Sequence, residues 1–477
     1  MESFGAVFRK CIEEKGIPTA QFSKEIDLNR GMLYNIWNSK KQLPEERLQA
    51  LLTRKLFFPE QVERLREAYY SEIYGAEAFE RLNFIRKALA RLAHETPPSP
   101  MFGRLGGYAP TSAREIVTNE SALLAVLYFV LRQELDGCES PRMETNYPFS
   151  CTEVDNLTYA MLSQYRDKSP EFRHCVMYET SGQSTLNLRN IFSGIRFFQM
   201  HHNLYGQLSD YGSYLPPGAL YPCFFIMSRH VLLFHPERGN GLLLSDPEIV
   251  QTIALNAAQL HSNYTPIAQF PKDEMELQQL FSQKTLLRHN RGEFSVLPCL
   301  GVFTDRGMLG EILNPELPAR NAFIDMLHGM YQGLRSDFAS PHFHTAQGLE
   351  AFARTGKFQE MSRRIACPAP PEIRGELLLR LRAAIENGAR IYLLDEYALP
   401  FPDGLSLEYF DGFLFVAGSI SGGGDAFTGE FFKVADRQTT VKDFENFMDY
   451  ILRNGFTYPR EWTLNFLDEL ISTCNEA

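Results

Sequence analysis

FRKCIEEKGIPTAQFSKEIDLNRGMLYNIWNSKKQLPEERLQALL, residues 8–52, decides the reading of this 477-residue chain. Phe8, Cys11 and Ile12 have helical spacing, and Gly16 stops that helix. Pro18 opens a second helix at its first turn, where its missing N–H costs nothing. Phe22 and Ile26 stand four residues apart on it and face inward. Asp27-Leu28 makes a tight turn. Asn29 caps a third helix, Arg30 to Asn38, by accepting from its free N–H groups. Met32 or Leu33, with Ile36 and Trp37, gives this helix an apolar stripe. Pro44-Glu45-Glu46 starts a fourth helix, with carboxylates at the positive end of its dipole. Leu48, Leu51, Leu52 and Leu56 close a small core.

This stretch resembles the Cro/CI-repressor-like (XRE-type) helix-turn-helix domain. The resemblance implies that the second helix of the pair enters the major groove of double-stranded DNA. It implies base-edge contacts from Asn29, Arg30, Gly31, Met32 and Asn35, and phosphate contacts from Thr19, Asn38, Lys40 and Lys41. The family often has Gln where Thr19 stands, a small residue where Asp27 stands and Gly where Ser39 stands. The spacing to Pro44 is one residue longer than usual. The other reading of the same residues is an ordinary helical cap that touches no DNA.

Charge divides along the chain. Residues 1–60 hold ten Lys/Arg and eight Asp/Glu, a balance of +2. The whole chain carries −11, so the remaining 417 residues carry −13. A weakly basic head on an acidic body suits a small nucleic-acid module joined to a region that does not bind DNA. With so few cations, two heads per operator are expected. The eight cysteines are scattered without a CxxC pair or a Cys/His cluster, so no zinc site is expected. The N-terminus lacks signal-peptide architecture. The longest apolar run, Ala122 to Leu131, is far short of the roughly 18–20 residues a membrane span needs. A cytoplasmic, reduced protein is the simple expectation.

The fold class expected is multidomain: an all-α helix-turn-helix domain followed by a larger mixed α/β region. Residues 1–58 form the DNA-binding domain and 59–95 a helical connector, beginning at Pro59 and interrupted at Gly75. Glu95-Thr96-Pro97-Pro98-Ser99-Pro100 stops any helix, and 96–112 is the linker. A first α/β sensing unit spans 113–270 and a second, with C-terminal helices, spans 271–477. Residues 113 to about 137 read as helix, and Arg189 to Leu204 as helical in period. Short strands are expected at Cys223–Met227, Val231–Phe234 and Gly241–Leu244, then a helix from Asp246 to about Leu260. Pro371 to Asn387 reads as helix and Arg390 to Leu394 as strand. Strands at Leu405–Phe410, Phe413–Ala417 and Glu430–Val434 precede a helix over Val441–Leu452. The same order of elements thus recurs at about 220–260 and 403–452. This is either two related α/β units enclosing a pocket or a coincidence of common elements.

No catalytic constellation stands out. Gly422-Gly423-Gly424-Asp425 lies between strands, with no Gly-Lys-Ser/Thr after it, and reads as a hairpin loop rather than a phosphate cradle. His201-His202 point apart on a helix, while His342 and His344 can share a strand face. Neither pair has a partner at metal-ligand spacing. Asp395-Glu396 follows a strand and either faces a ligand crevice or caps a turn. Thr180 to Ser184 does not fit a nucleophile elbow. The aromatics Phe192, Phe197, Phe198, Tyr205, Tyr211, Tyr214 and Tyr221 read as core, or as the lining of an effector pocket.

The expectation is a sequence-specific transcription regulator without cofactor or metal. It binds an inverted-repeat operator as a homodimer, and its large C-terminal region dimerises or senses a small-molecule or peptide effector. The alternative is a phage-defence-type enzyme or an interaction protein whose helix-turn-helix targets it.

Overall fold

The computed structural model describes residues 2–16, 18–53, 56–94, 105, 107–168, 170–179, 185–197, 202–209, 220–261, 264–268, 290–317, 319–334, 337–358, 361, 365–410, 413–418, 430–435 and 440–476. Among the first 94 residues the described ones form six helices: α1 (Phe4–Glu14), α2 (Thr19–Glu25), α3 (Arg30–Trp37), α4 (Glu45–Thr53), α5 (Pro59–Tyr74) and α6 (Ala76–His94). Phe8, Cys11, Phe22, Leu33, Ile36 and Leu48 are buried together, as their spacing predicts. Of the pair Met32 and Leu33, Leu33 is the core residue and Met32 is half-buried. Phe4, Phe8, Phe22 and Phe57 pack within this core at centroid distances of 5.4 to 6.4 Å, Phe4 stacked on Phe8 and Phe22 edge-on to Phe8 and Phe57. Gly5 lets α1 approach α3, since a Cβ there would sit 2.2 Å from the Ile36 carbonyl oxygen. Gly75, at φ +84°, turns α5 into α6.

Beyond residue 113 the chain builds two mixed α/β sheets. The helical reading of 113–137 is corrected at its start. Arg114–Val117 is a strand, β1, and helix α7 begins only at Glu120 and runs to Gly137, capped by Asn119. There follow β2 (Arg142–Thr145), α8 (Thr152–Gln164), β3 (Glu171–Glu179), α9 (Leu186–Arg196) and β4 (His202–Ser209). The helical reading of Arg189 to Leu204 is corrected too: α9 ends at Arg196, and strand β4 pairs in parallel with β3. Then come β5 (Cys223–Ile226), β6 (Val231–His235), β7 (Asn240–Leu244), α10 (Pro247–His261) and β8 (Thr265–Ala268).

The second sheet uses β9 (Asn290–Ser295), helices α11 (Arg306–Ile312) and α12 (Arg320–Leu334), then β10 (His342–Thr345). It continues with α13 (Ala346–Thr355), α14 (Pro371–Glu386), β11 (Ile391–Leu394), β12 (Leu405–Phe410), β13 (Phe413–Gly418) and β14 (Glu430–Ala435). Helices α15 (Thr440–Arg453) and α16 (Arg460–Glu476) end the chain.

The two sheets share one connectivity. In the first, β2, β3 and β4 are parallel neighbours, and the antiparallel meander β5-β6-β7 lies on the other side of β2. In the second, β9, β10 and β11 are parallel neighbours, and the meander β12-β13-β14 lies on the other side of β9. A helix follows each meander, α10 and α15. The first sheet adds β1 beyond β7 and β8 beyond β4. The recurrence of elements at 220–260 and 403–452 is therefore part of a longer shared order, β2 to α10 and β9 to α15.

Helix α15 is apolar on two sides. Phe444, Phe447, Met448 and Ile451 are buried against the sheet that holds Phe294 and Tyr409; Phe294 and Phe447 lie 5.8 Å apart. Tyr450 turns the other way, 5.3 Å from Tyr70 of α5 and 6.0 Å from Phe79 of α6. Around this contact Arg81 donates to Asp443 at 2.8 Å, Tyr74 to Asp449 at 2.8 Å, and Arg453 to Glu45 at 3.1 Å. The helices of residues 4–94 are thus seated on the second sheet's last helix.

Candidate nucleic-acid interface

Helix α3 is positioned by its own caps. The Asn29 side chain accepts from the Met32 N–H at 2.7 Å, which satisfies one of the helix's free donors. At the other end Asn38 donates to the Tyr34 carbonyl at 2.7 Å. The next loop closes over the helix, with Lys40 N donating to Asn35 O at 2.8 Å. Two residues take the left-handed region here, Asp27 at φ 52° and Ser39 at φ 54°.

Leu33 and Ile36 fix one face of α3 in the core. The opposite face carries Arg30, Gly31, Tyr34, Asn35 and Asn38, all exposed. Lys40 and Lys41 follow at its C-terminal end and Thr19 stands at the start of α2, also exposed. Among the residues expected to read bases, Arg30, Gly31 and Asn35 therefore share one outward face. Asn29 is exposed but spends its carbonyl oxygen on the cap, and Met32 turns partly toward the core. Asn38, expected at phosphate, is engaged with the helix's own carbonyl. Gly31 meets nothing but Asn29 Oδ1, at 3.5 Å, within 4 Å of a Cβ, so the fold itself does not require glycine there.

Sequence reasoning missed Tyr34. It is 65% exposed, between Arg30 and Asn38 on the same stripe. Its spacing of four from each was the available signal.

The body holds a second group of polar residues, all buried. Glu293 and Ser295 of β9 face His342 and His344 of β10 across the ladder. Ser295 Oγ lies 2.9 Å from His344 Nδ1 and 2.8 Å from Glu293 Oε1, while His342 Nδ1 lies 3.1 Å from Glu293 Oε2. Serine, histidine and carboxylate in contact suggest a nucleophile with its base, but Ser295 is 2% exposed and His344 fully buried, so no substrate reaches them. Ser295 Oγ also lies 2.9 Å from the Leu297 carbonyl, which ties down the chain leaving β9. In the first sheet His174 of β3 does the same, meeting the Tyr147 carbonyl at 2.7 Å beyond the end of β2. Burial pushes His174 down to about 3 and His344 down to about 4, so both are neutral near pH 7.

Asp395 accepts from the Tyr397 N–H at 3.1 Å and shapes a turn, and Glu396 sits at the start of α13. Among the described residues no group of three His, Cys, Asp or Glu side chains is placed to hold a metal ion. Gly422 to Asp425, His201 and Thr180 to Ser184 lie outside the described residues, as do Phe198, Tyr211 and Tyr214 of the aromatic set and Glu95 to Pro100 of the linker. Phe192 and Phe197 are core residues. No helix among the described residues is long and apolar enough to cross a membrane.

No family model matches this chain. No curated protein matches it. Among solved structures it is similar to TrmBL2, an archaeal chromatin protein whose structure shows a novel mode of DNA binding. That similarity has a TM-score of 0.22 and 9% identity, over 52% of this chain and 87% of that one. A likeness at that level carries no argument about this chain.

Proposed function

We propose that the chain is a sequence-specific DNA-binding transcription regulator with an XRE-type head. The observation that carries this reading is the outward face of α3. Arg30, Gly31, Tyr34 and Asn35 form a solvent-facing stripe on a helix whose other face and both ends are fixed. Arg30 and Asn35 supply forked donors and acceptors suited to base edges. Gly31 allows close approach, and the Tyr34 ring offers apolar contact. Lys40, Lys41 and Thr19 meet phosphates and set register. Residues 1–58 form the head and 59–95 the connector. Two copies bind an inverted repeat whose half-sites lie about 34 Å, or a multiple of it, apart. The body dimerises and senses an effector in the cytoplasm.

The test is selection of bound fragments from a random DNA pool at two salt concentrations. An inverted repeat is the expected product. Arg30→Ala with Asn35→Ala should erase the preference among selected sequences. Lys40→Ala or Lys41→Ala should weaken all DNA evenly and reduce the salt slope by about 1. Equal binding of wild type and the Arg30/Asn35 double variant to every selected sequence would sink this reading.

A further inference from the structure

The outer edge of β11 opens onto a groove of about 910 Å³. Its walls are residues 385–392, Leu452, residues 457–460 and Thr463. Strand β11 bonds to β10 through alternate residues, His342 N donating to Arg390 O at 2.8 Å. Ile391 and Leu393 therefore turn their main-chain groups away from the sheet. The chain after α15 begins to pair with that outer edge in antiparallel fashion. Asp395 N donates to Phe456 O at 2.9 Å, and Tyr458 N donates to Leu393 O at 2.8 Å. After Tyr458 this ladder ends, because the chain turns away into α16 at Arg460. The ladder thus stops short of Ile391, which is 5% exposed and borders the groove.

The groove is positively charged. Arg390 and Arg460 line it; its acid, Glu386, is already paired with Arg382 at 2.8 Å. Arg460 spends one nitrogen on the Ile385 and Glu386 carbonyls, and Arg390 makes one long contact to the Ala339 carbonyl at 3.4 Å. Both keep further donors for an anion.

We propose that this groove binds a short extended peptide with a free C-terminal carboxylate. The peptide continues the antiparallel ladder where residues 456–458 leave it, exchanging main-chain hydrogen bonds with Ile391. Antiparallel direction puts its N-terminus near Pro459 and its carboxylate at Arg390. An acidic side chain reaches Arg460. The consequence for DNA rests on the regulator reading above. Leu452 and Thr457 of the groove flank Arg453, whose side chain meets Glu45 and whose carbonyl accepts from Gln49 at 3.0 Å. A bound peptide therefore leans on the segment that holds α4.

The experiment titrates the full chain into a pool of fluorescein-labelled pentapeptides, alternating Val, Ile or Thr with Asp or Glu, and reads anisotropy. Members of the pool should bind. Amidation of the C-terminus, or Arg390→Glu in the protein, should each weaken binding about tenfold, as loss of one charge-assisted contact does. Backbone N-methylation should cost about tenfold at the one amide that donates to the Ile391 carbonyl and little at amides of the other parity, whose N–H groups turn away from β11. No binding, indifference to amidation, or equal loss at both parities overturns the proposal. So does displacement of the peptide by phosphate or AMP at the same concentration, which would make the groove a small-anion site. DNA affinity is measured separately. Peptide binding without any DNA binding removes the regulator reading and leaves the site; DNA binding without peptide binding does the reverse.

Discussion

Tyr450→Ala tests whether the N-terminal helices and the second sheet are one mechanical unit. Tyr450 is 1% exposed and touches both sides of the contact. Its ring lies 5.3 Å from Tyr70, 6.2 Å from Tyr74 and 6.0 Å from Phe79, and 5.8 Å from Phe456 on the body side. An aromatic ring of this kind buries about 150–250 Å², worth roughly 4–6 kcal/mol at about 25 cal/mol/Å². Core aromatic-to-alanine changes cost about 3–5 kcal/mol, so a loss near 4 kcal/mol is expected. Because three of these partners belong to α5 and α6, the loss should fall on docking of the head. Amide exchange should quicken in α5 and α6 well before it does in β9 to β13. Tyr450→Phe, which keeps the ring, should cost under about 1.5 kcal/mol. A cycle with Tyr70→Ala should show a coupling of about 0.5–1.5 kcal/mol, the range for aromatic pairs. Additivity of the two changes, or uniform quickening of exchange across the whole chain, would refute the claim that α15 is the seat of the head.

The remaining predictions concern charge, pH and backbone. Arg196 donates to Asp155 at 2.7 Å, both are buried, and burial pushes the Asp155 carboxyl up to about 6 even with that cation beside it. Arg196→Met should therefore destabilise by about 3–5 kcal/mol in urea unfolding, and adding Asp155→Asn should recover much of it; equal cost for the single and double variants would contradict this. His174 and His344 titrate lower in the folded chain, at about 3 and about 4, than the ordinary 6.5. The unfolded chain then binds more protons below that value, so stability is full above it and falls with pH, by about 2 kcal/mol per histidine at pH 5. Urea midpoints measured at pH 7 and pH 5 check this for wild type and for His174→Phe, which should lose part of the slope; an unchanged slope in the variant speaks against a neutral buried imidazole. Ser39 sits at φ 54° beside the candidate interface, so Ser39→Gly should stabilise by roughly 0.5–1 kcal/mol, and a lower melting temperature would count against it.

What was legible in the sequence was whatever a short window encodes. The helices of residues 4–94 follow from local apolar period, and Asn29 follows from its cap position. The two meanders were legible because antiparallel neighbours adjoin in sequence, as β5 to β7 and β12 to β13 do. The parallel strands were harder. Strand β2 meets β3 only after helix α8, and β3 meets β4 only after α9, so no local pattern announces them. The helical period of 189–204 runs past the end of α9 into the first three residues of β4, and β1 adjoins the apolar run of α7. On α3 the exposure of Arg30 and Asn35 follows from their position, whereas the commitment of Asn38 to a carbonyl and the exposure of Tyr34 required the packed core. Contacts between residues 45–81 and 443–453 lie some 360 or more positions apart in the chain, beyond any sequence window.

The shared connectivity makes one difference between the units informative. Helices α10 and α15 hold the same place after their meanders, yet among the described residues it is α15 that packs on α5 and α6. The reason lies in their second faces. Helix α10 buries Val250 and Ala257 with Ile226, Val231 and Leu244 and leaves Leu255 63% exposed. Helix α15 buries Phe444, Phe447 and Ile451 on the sheet and still offers Tyr450, Asp443, Asp449 and Arg453 outward. The first unit reaches the N-terminal helices where α9 packs on α6, with Phe192 6.2 Å from Phe84 and 6.1 Å from Phe444. A change in the second unit's sheet therefore meets the head through a rigid helix. A change in the first unit meets α6 through the shared core, in which Leu82, Ile85 and Leu89 are buried together with Leu188, Ile191 and Phe192 of α9.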